Sequence, residues 1–331
     1  MTTYLLRRLL GLVPVLIAAA TIVWILIFFI PGDPARLIAG SRALDPEVVD
    51  AIRAEWGLDR PAPLQYLTWL GKLLRGDLGM SYIQRRPVAA ILADHFPPTL
   101  FLAVAAVALS AAGGLALGTL AAFARGRLAA ITVEALALIG ASTPVFWVGL
   151  MLMLLFASRL AWLPVLGYGD DGAIIPGTRV RLPEWDHLVL PALTLSIMSM
   201  GAIARLTRSG LDDVGAADYL RTAAAKGASR ARVLVGHALR NALIPVVTVV
   251  GLNFAGILGG AVATEYVFAW PGLGKTVVRA IALRDLPVVE GCVLFLAAVA
   301  VLVSLAVDLV YAVIDPRIQP GAPGGPASSL R

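Results

Sequence analysis

The stretch Asp218–Asn241, DYLRTAAAKGASRARVLVGHALRN, is basic and rich in alanine, and it lies between two strongly apolar runs. Its residues are mostly good helix formers, and Gly227 is the residue type that most often follows the end of a helix. Spanning a bilayer requires no such insertion. We therefore expect a helix–glycine–helix loop that contacts a soluble partner. A plain basic connector between two spans is the alternative.

The composition indicates an integral membrane protein. Of the 331 residues, 59% are hydrophobic and 15% are charged, and the mean hydropathy is +0.85. A soluble domain carries about 25% charged residues. Charged residues are nearly absent from six long apolar runs, which are candidates for membrane spans. They are Leu9–Ile30, Thr99–Ala124, Ile131–Phe156, Leu188–Ile203, Ala242–Thr264 and Val288–Val313. The predicted fold is all-α, with six transmembrane helices.

The basic residues predict the orientation of these spans. The net charge is +6, and many basic side chains fall in segments that alternate onto one side if both termini are inside. The residues on this side are Arg7, Arg8, Arg125, Arg127, Arg205, Arg208, Arg221, Lys226, Arg230, Arg232, Arg240 and Arg317. Since this rule accounts for the charge and no basic–aromatic groove is visible, we expect no nucleic-acid binding. The first apolar run is too long for a signal peptide and is read as a retained anchor.

The chain divides into three parts. Residues 1–98 contain the first span and an outer segment, in which Asp45-Pro46 begins an amphipathic helix and Pro63–Leu74 forms a second. In the first of these helices, Val48, Ile52 and Trp56 share a face. Residues 99–318 form a five-helix core with a cytoplasmic loop at 205–241. The tail at 319–331 is rich in proline, glycine and serine and is predicted to be disordered.

Several strings resemble the dipeptide/oligopeptide/nickel permease family of ABC importers. They are YLLRRLLGLVPVLIAAATIVWILIFFIPGDPA at 4–35, GLDRPAPLQYLTWLGKLLRGDLGMSY at 57–82, YLRTAAAKG at 219–227 and EYVFAWPGLGKTVVRAI at 265–281. The resemblance extends from about residue 4 to residue 318 and is strongest to the first of two paired permeases. It implies the type I importer fold, in which the cytoplasmic loop forms a coupling helix that docks on an ATPase subunit.

The resemblance also implies the residues of the ATPase-coupling loop. They are Gly215, Ala216, Asp218, Tyr219, Arg221, Thr222, Ala223, Ala224, Lys226 and Gly227. The family pattern is Glu-Ala-Ala, three residues and then glycine. When Gly227 is matched to that glycine, the glutamate position holds Arg221, while Ala223 and Gly227 are kept.

The family further implies the partners. They are a homologous second permease, two ATPase subunits that hold ATP and magnesium, an external binding protein and a peptide substrate, all at the bacterial cytoplasmic membrane. The chain itself is expected to bind no cofactor or metal and to lack catalytic residues, because His95, His187 and His237 are far apart in sequence and Cys292 is the only cysteine. A stand-alone secondary transporter is the main alternative, although no acidic residue lies at the centre of a span.

Polar and small residues in the predicted spans give candidates for the translocation path. Asn253, Ser196, Ser199 and Pro144 are the residues we expect to face it, and Ser142-Thr143-Pro144 is expected to bend the third span. The glycines at 251, 256, 259 and 260 predict close packing of the fifth span against a partner span.

One further string, AWPGLGKT at 269–276, fits a loose Walker A pattern. A nucleotide site would need a strand before it and a cytoplasmic domain around it. We therefore interpret the string as a tight turn at the outer mouth, with Trp270 in the aromatic belt of the membrane.

Overall fold

A computed structural model of the chain describes residues 2–29, 32–40, 43–124, 127–178, 180–215 and 239–314. Within these residues the fold is helical, and the only β pairing is in two isolated bridges, Met80 with Pro87 and Ile174 with Arg181. The helices are α1 (Thr2–Phe28), α2 (Pro34–Ala39), α3 (Pro46–Glu55), α4 (Ala62–Leu74), α5 (Val88–Ala124), α6 (Arg127–Ser142), α7 (Val145–Leu152), α8 (Trp185–Gly215), α9 (Leu239–Gly260), α10 (Val262–Val267), α11 (Leu273–Ala282) and α12 (Leu286–Ile314). A π-helical segment, Met153–Arg159, continues α7.

The predicted apolar runs all fall on helices. Among the described residues, α5, α8 and α12 are each long and apolar enough to cross a membrane. The pair formed by α6 and α7 with its π-helical continuation would be a fourth span, and α1 and α9 contain shorter apolar stretches. The all-α membrane fold is confirmed, whereas the count of six spans and the inside position of both termini stay predictions. The tail at 319–331 lies outside the described residues.

The third predicted span is broken, as the sequence predicts. Helix α6 ends at Ser142, and Pro144 stands before the first residue of α7. The axes of Ala130–Gly140 and Val145–Arg159 differ by 107°. Proline has no amide hydrogen and disfavours the helical conformation in the residue before it, so the chain turns here.

The core lies where α5, α8 and α9 meet. Small residues bring α8 close to both α5 and α6. A Cβ atom on Gly118 of α5 would lie 2.4 Å from the Ala204 carbonyl oxygen of α8. A Cβ atom on Gly201 of α8 would lie 2.4 Å from the Ala137 Cα of α6. Close contact through small residues is the usual way in which membrane helices associate.

The segment between α1 and α5 folds as a cap on one end of the bundle, here called the outer end after its predicted side. Asp45 caps α3 by accepting a hydrogen bond from the Glu47 amide at 3.1 Å. The predicted amphipathic helix is confirmed, with Val49 as its most buried residue. Val49 packs in a buried cluster with Ala35 and Ala39 of α2. Trp56 lies outside this cluster: it is 40% exposed and makes an edge contact with Tyr82.

Candidate functional site

The hairpin of α10 and α11 at the outer end is organised by Glu265. This side chain is fully buried. Its carboxylate accepts hydrogen bonds from the amides of Gly274 at 2.7 Å and Lys275 at 3.1 Å. These amides belong to the first turn of α11, where no carbonyl of the helix can reach them. The carboxylate therefore acts as the N-terminal cap of a helix that begins eight residues after it.

Thr99 of α5 completes the same network. Its hydroxyl donates to Glu265 Oε1 at 2.7 Å and accepts from the Leu273 amide at 2.8 Å. The first three amides of α11 thus all have a partner, supplied by two other helices. A negative charge is also favoured at this end of a helix by the helix dipole. The arrangement fastens the α10–α11 hairpin to α5.

Glycine is required on both sides of the Glu265 carboxylate. A Cβ atom on Gly272 would lie 2.3 Å from Glu265 Oε1. On Gly274 it would lie 2.5 Å from the Val262 Cα and 2.9 Å from Glu265 Oε2. The Gly-Leu-Gly sequence is therefore explained by the close approach of an internal carboxylate.

This geometry accounts for the Walker-like string. The tight turn is confirmed, since the Gly272 amide donates to the Trp270 carbonyl oxygen at 2.9 Å. The amides that a phosphate would need are already bonded to Glu265, and Lys275 Nζ donates to the Ala269 carbonyl at 3.0 Å. The string is the start of a structural helix.

The prediction for Trp270 was wrong. Its side chain is fully buried and its indole Nε1 donates to the Pro98 carbonyl of α5 at 2.9 Å, so it lies in the protein core and not in a membrane belt. Tyr168 packs edge-on against it, with ring centroids 4.6 Å apart. Burial raises the pKa of Tyr168 to about 12, so its hydroxyl stays neutral and donates to the Arg181 carbonyl at 2.7 Å.

A second carboxylate, Asp285, holds the outer cap to the bundle. It is 3% exposed and lies between α11 and α12. It accepts hydrogen bonds from the Ser81 hydroxyl and from the Tyr82 amide, the latter at 2.9 Å. The end of the RGDLGMSY string is thereby fixed to a residue more than 200 positions later in the chain.

The predicted translocation-path residues lie in different environments. Ser196 and Ser199 of α8 are buried within the chain, and the Ser196 hydroxyl donates to the Leu193 carbonyl of its own helix at 2.9 Å. Asn253 of α9 is half-buried, and Pro144 is exposed at the break after α6. Their role in transport stays a prediction.

Of the predicted coupling residues, Gly215 is the last residue of α8. The other nine lie in 216–238, outside the described residues.

The glycines of α9 separate into two groups. A Cβ atom on Gly251 would lie 2.5 Å from Val307 of α12, whereas Gly256 and Gly259 have no atom of the described chain within 4 Å of such a position.

Glu184, Asp186 and His187 form the one group of three possible metal ligands among the described residues. The three side chains are half-buried, and their ligand atoms lie within 4.8 Å of one another. His187 Nδ1 is 3.1 Å from Asp186 Oδ1, and Glu184 accepts a hydrogen bond from the Asp171 amide at 2.6 Å. These contacts make the group a hydrogen-bonded corner where the outer loop joins the first turn of α8.

Comparison with known proteins defines the class. Residues 114–320 match the binding-protein-dependent transport system inner membrane component family, and residues 1–103 match the N-terminal component of such systems. The chain therefore belongs to this family of ABC importer permeases, and it is a membrane transport subunit without an enzymatic role. Family membership implies ATPase and binding-protein partners.

Individual relatives match over nearly the whole length. The chain is 41% identical over 319 residues to the glutathione transport system permease protein GsiC of Salmonella choleraesuis, covering 96% of this chain and 99% of that protein. Identity to the protein of the same name from Escherichia coli K12 is 40% over 319 residues, with the same coverage. The chain also resembles a solved structure of the MetNI methionine ABC transporter in an inward-facing conformation. That match has a TM-score of 0.52 and 16% identity, and covers 69% of this chain and 97% of that one. The low identity means that this last match supports the fold alone.

Proposed function

We propose that this chain is one of two permease subunits of an ABC importer that carries short peptides, with glutathione as the leading candidate, across the bacterial cytoplasmic membrane. The observation that carries the proposal is the 41% identity to a glutathione permease over 96% of the chain. A match of that length includes the outer cap and the bundle together. Substrate choice is expected to depend largely on the external binding protein.

The proposed assembly contains this chain, a homologous second permease, two ATPase subunits that hold ATP and magnesium, and the binding protein. The open positions beside Gly256 and Gly259 on α9 support a partner span at this place. A small-residue surface allows two membrane helices to approach closely.

In the proposed mechanism the chain does no chemistry. Closure of the ATPase subunits moves the loop centred on Ala216–Gly227, and the permease helices follow as rigid bodies between inward-open and outward-open states. The Glu265 network would keep the outer hairpin attached to α5 during this motion. ATPase closure therefore acts on the permease through the cytoplasmic loop, and the permease responds by changing the side of the membrane to which its path is open.

The test is purification of the chain with the products of its neighbouring genes, followed by reconstitution into proteoliposomes. ATP inside the vesicles and binding protein outside are expected to give uptake of labelled glutathione or of a dipeptide. An assembly with two ATPases and a second permease is expected from intact mass. Ion-gradient-driven uptake by the lone chain would instead establish a secondary transporter.

A further inference from the structure

A cavity of about 550 Å³ lies at the outer end, to one side of the α5–α8–α9 core. Its walls come from the end of α1, from α2, α3 and α4, from the loop before α5 and from the first turns of α12. The Glu265 network does not line it. The cavity is therefore separate from the Glu265 network, and it meets the Asp285 contact only at Tyr82.

One wall of the cavity is aromatic. Trp24 and Phe28 of α1 are stacked with ring centroids 5.0 Å apart. Trp69 of α4 and Tyr82 of the following loop also line the cavity. Aromatic rings suit both apolar chains and cations, because their faces carry a partial negative charge.

A carboxylate also lines the cavity, next to Trp69. Glu290 projects from α12, a helix that is otherwise strongly apolar, and lines the cavity. Among the described residues its one hydrogen-bond partner is Trp69, whose indole Nε1 donates to Oε2 at 2.9 Å. A carboxylate can accept about four hydrogen bonds, so most of its capacity is unused.

Charged side chains of both signs complete the lining: Arg53, Arg60, Lys72 and Arg284, with Asp33, Glu55 and Asp77. Lys72 follows Trp69 by three residues on α4, so both side chains lie on the same side of that helix. Its ammonium group has no hydrogen-bond or ion-pair partner among the residues that the structure describes. Arg53 lies at another part of the lining and is paired with Asp33 at 2.7 Å. The cavity thus offers an open acceptor and an open cationic donor, which together suit a zwitterion.

The surroundings point to the membrane as the source of this zwitterion. Helix α1 lies at the edge of the bundle and packs mainly on α12. Helix α4 has no buried residue and exposes Leu64, Leu67 and Leu74. An amphipathic helix of this kind beside an apolar span is typical of the membrane interface. The residues predicted to face the translocation path, Asn253, Ser196, Ser199 and Pro144, do not line this cavity.

We infer that this cavity binds a zwitterionic phospholipid with a phosphoethanolamine headgroup. Glu290 accepts hydrogen bonds from the ammonium group, Lys72 binds the phosphate, and the acyl chains lie along the Trp24 and Phe28 side of α1. The lipid fills the space between α1, the outer cap and α12. It holds the N-terminal span against the rest of the permease, which is a role in assembly and stability.

The test uses the whole importer, purified with its partners and stripped of lipid by detergent exchange. Phosphatidylethanolamine, phosphatidylcholine and phosphatidylglycerol are added separately, and both bound lipid and thermal stability are measured. Phosphatidylethanolamine is expected to bind and to raise the midpoint of unfolding. Phosphatidylcholine should bind about tenfold more weakly, because its trimethylated ammonium cannot donate a hydrogen bond to Glu290.

Variants link the effect to the cavity. Glu290→Gln and Lys72→Gln are each expected to weaken phosphatidylethanolamine binding about tenfold, the loss of one charge-assisted hydrogen bond. Glu47→Gln, on the exposed side of α3, is the matched control and should bind lipid normally. Equal binding of all three lipids by the wild type and both cavity variants would overturn the inference. So would protection by soluble phosphoethanolamine at the same concentration, or displacement of the lipid by transported peptide.

Discussion

The Glu265 carboxylate lies 2.7 Å from the amide nitrogen of Gly274, so an acid on one short helix closes the first turn of the next. The same carboxylate is bonded to Thr99, 166 positions earlier in the chain. Three helices therefore depend on one buried side chain.

Replacing this acid by its amide tests that dependence. In Glu265→Gln, an NH2 group replaces one acceptor oxygen and faces groups that already donate. We expect a loss of about 1–3 kcal/mol of stability, since a buried donor is left without a partner. The measurement is the midpoint of thermal unfolding of the assembled complex. Glu47→Gln serves as the exposed control, and equal midpoints for the two variants would contradict the assignment.

The requirement for glycine at position 274 gives a second prediction. A methyl group there would collide with the Val262 backbone and with Glu265, so Gly274→Ala should lower the yield of folded protein and its unfolding midpoint. Gly71 of α4 is also helical but has nothing within 4 Å of a built Cβ. Gly71→Ala should be neutral or slightly stabilising, because alanine favours a helix by about 1 kcal/mol over glycine. Similar behaviour of the two variants would count against the close approach.

Replacing small residues of the coupling loop by a bulky one tests its role. Ala223→Trp and Gly227→Trp should leave membrane insertion intact but uncouple ATP hydrolysis from uptake, because a docking surface needs close contact. Both activities are measured in proteoliposomes of the complete importer. Ala51→Trp, at an exposed position of α3, is the control. Normal uptake by the loop variants at normal expression would remove the coupling role from this segment.

The Walker-like string gives a prediction of no effect. Lys275→Ala removes only the hydrogen bond to the Ala269 carbonyl, so nucleotide affinity of the assembly should not change. Titration with a fluorescent ATP analogue measures that affinity. The corresponding lysine of the ATPase subunit, changed in the same way, is the positive control. Weaker nucleotide binding in Lys275→Ala would show that the turn holds a phosphate after all.

Local patterns in the sequence predicted the helices well. The apolar runs, the cap at Asp45 and the break at Pro144 each depend on residues within a few positions of one another. The six-span count stays a prediction: among the described residues, length and composition identify three helices that could span a membrane and a bent pair as a fourth.

The buried carboxylates could not be found in this way. Glu265, Asp285 and Glu290 each accept a hydrogen bond from a residue distant in sequence, at positions 99, 81 and 69, and only the fold brings these together. One signal was present for Glu265: an acid in an apolar stretch shortly before a Gly-Leu-Gly helix start. Trp270 was misplaced for a related reason, since a tryptophan after an apolar run also fits a packed core.

Helix α5 has 37 residues and is about 55 Å long, whereas the hydrocarbon core of a bilayer is about 30 Å thick. Its first turns do not face lipid: Val88, Ile91 and Leu92 pack against α11 and α12. The apolar side chains of these first turns are thus covered by the protein itself. The first turns of this long helix can therefore extend beyond the hydrocarbon core without exposing those side chains to water.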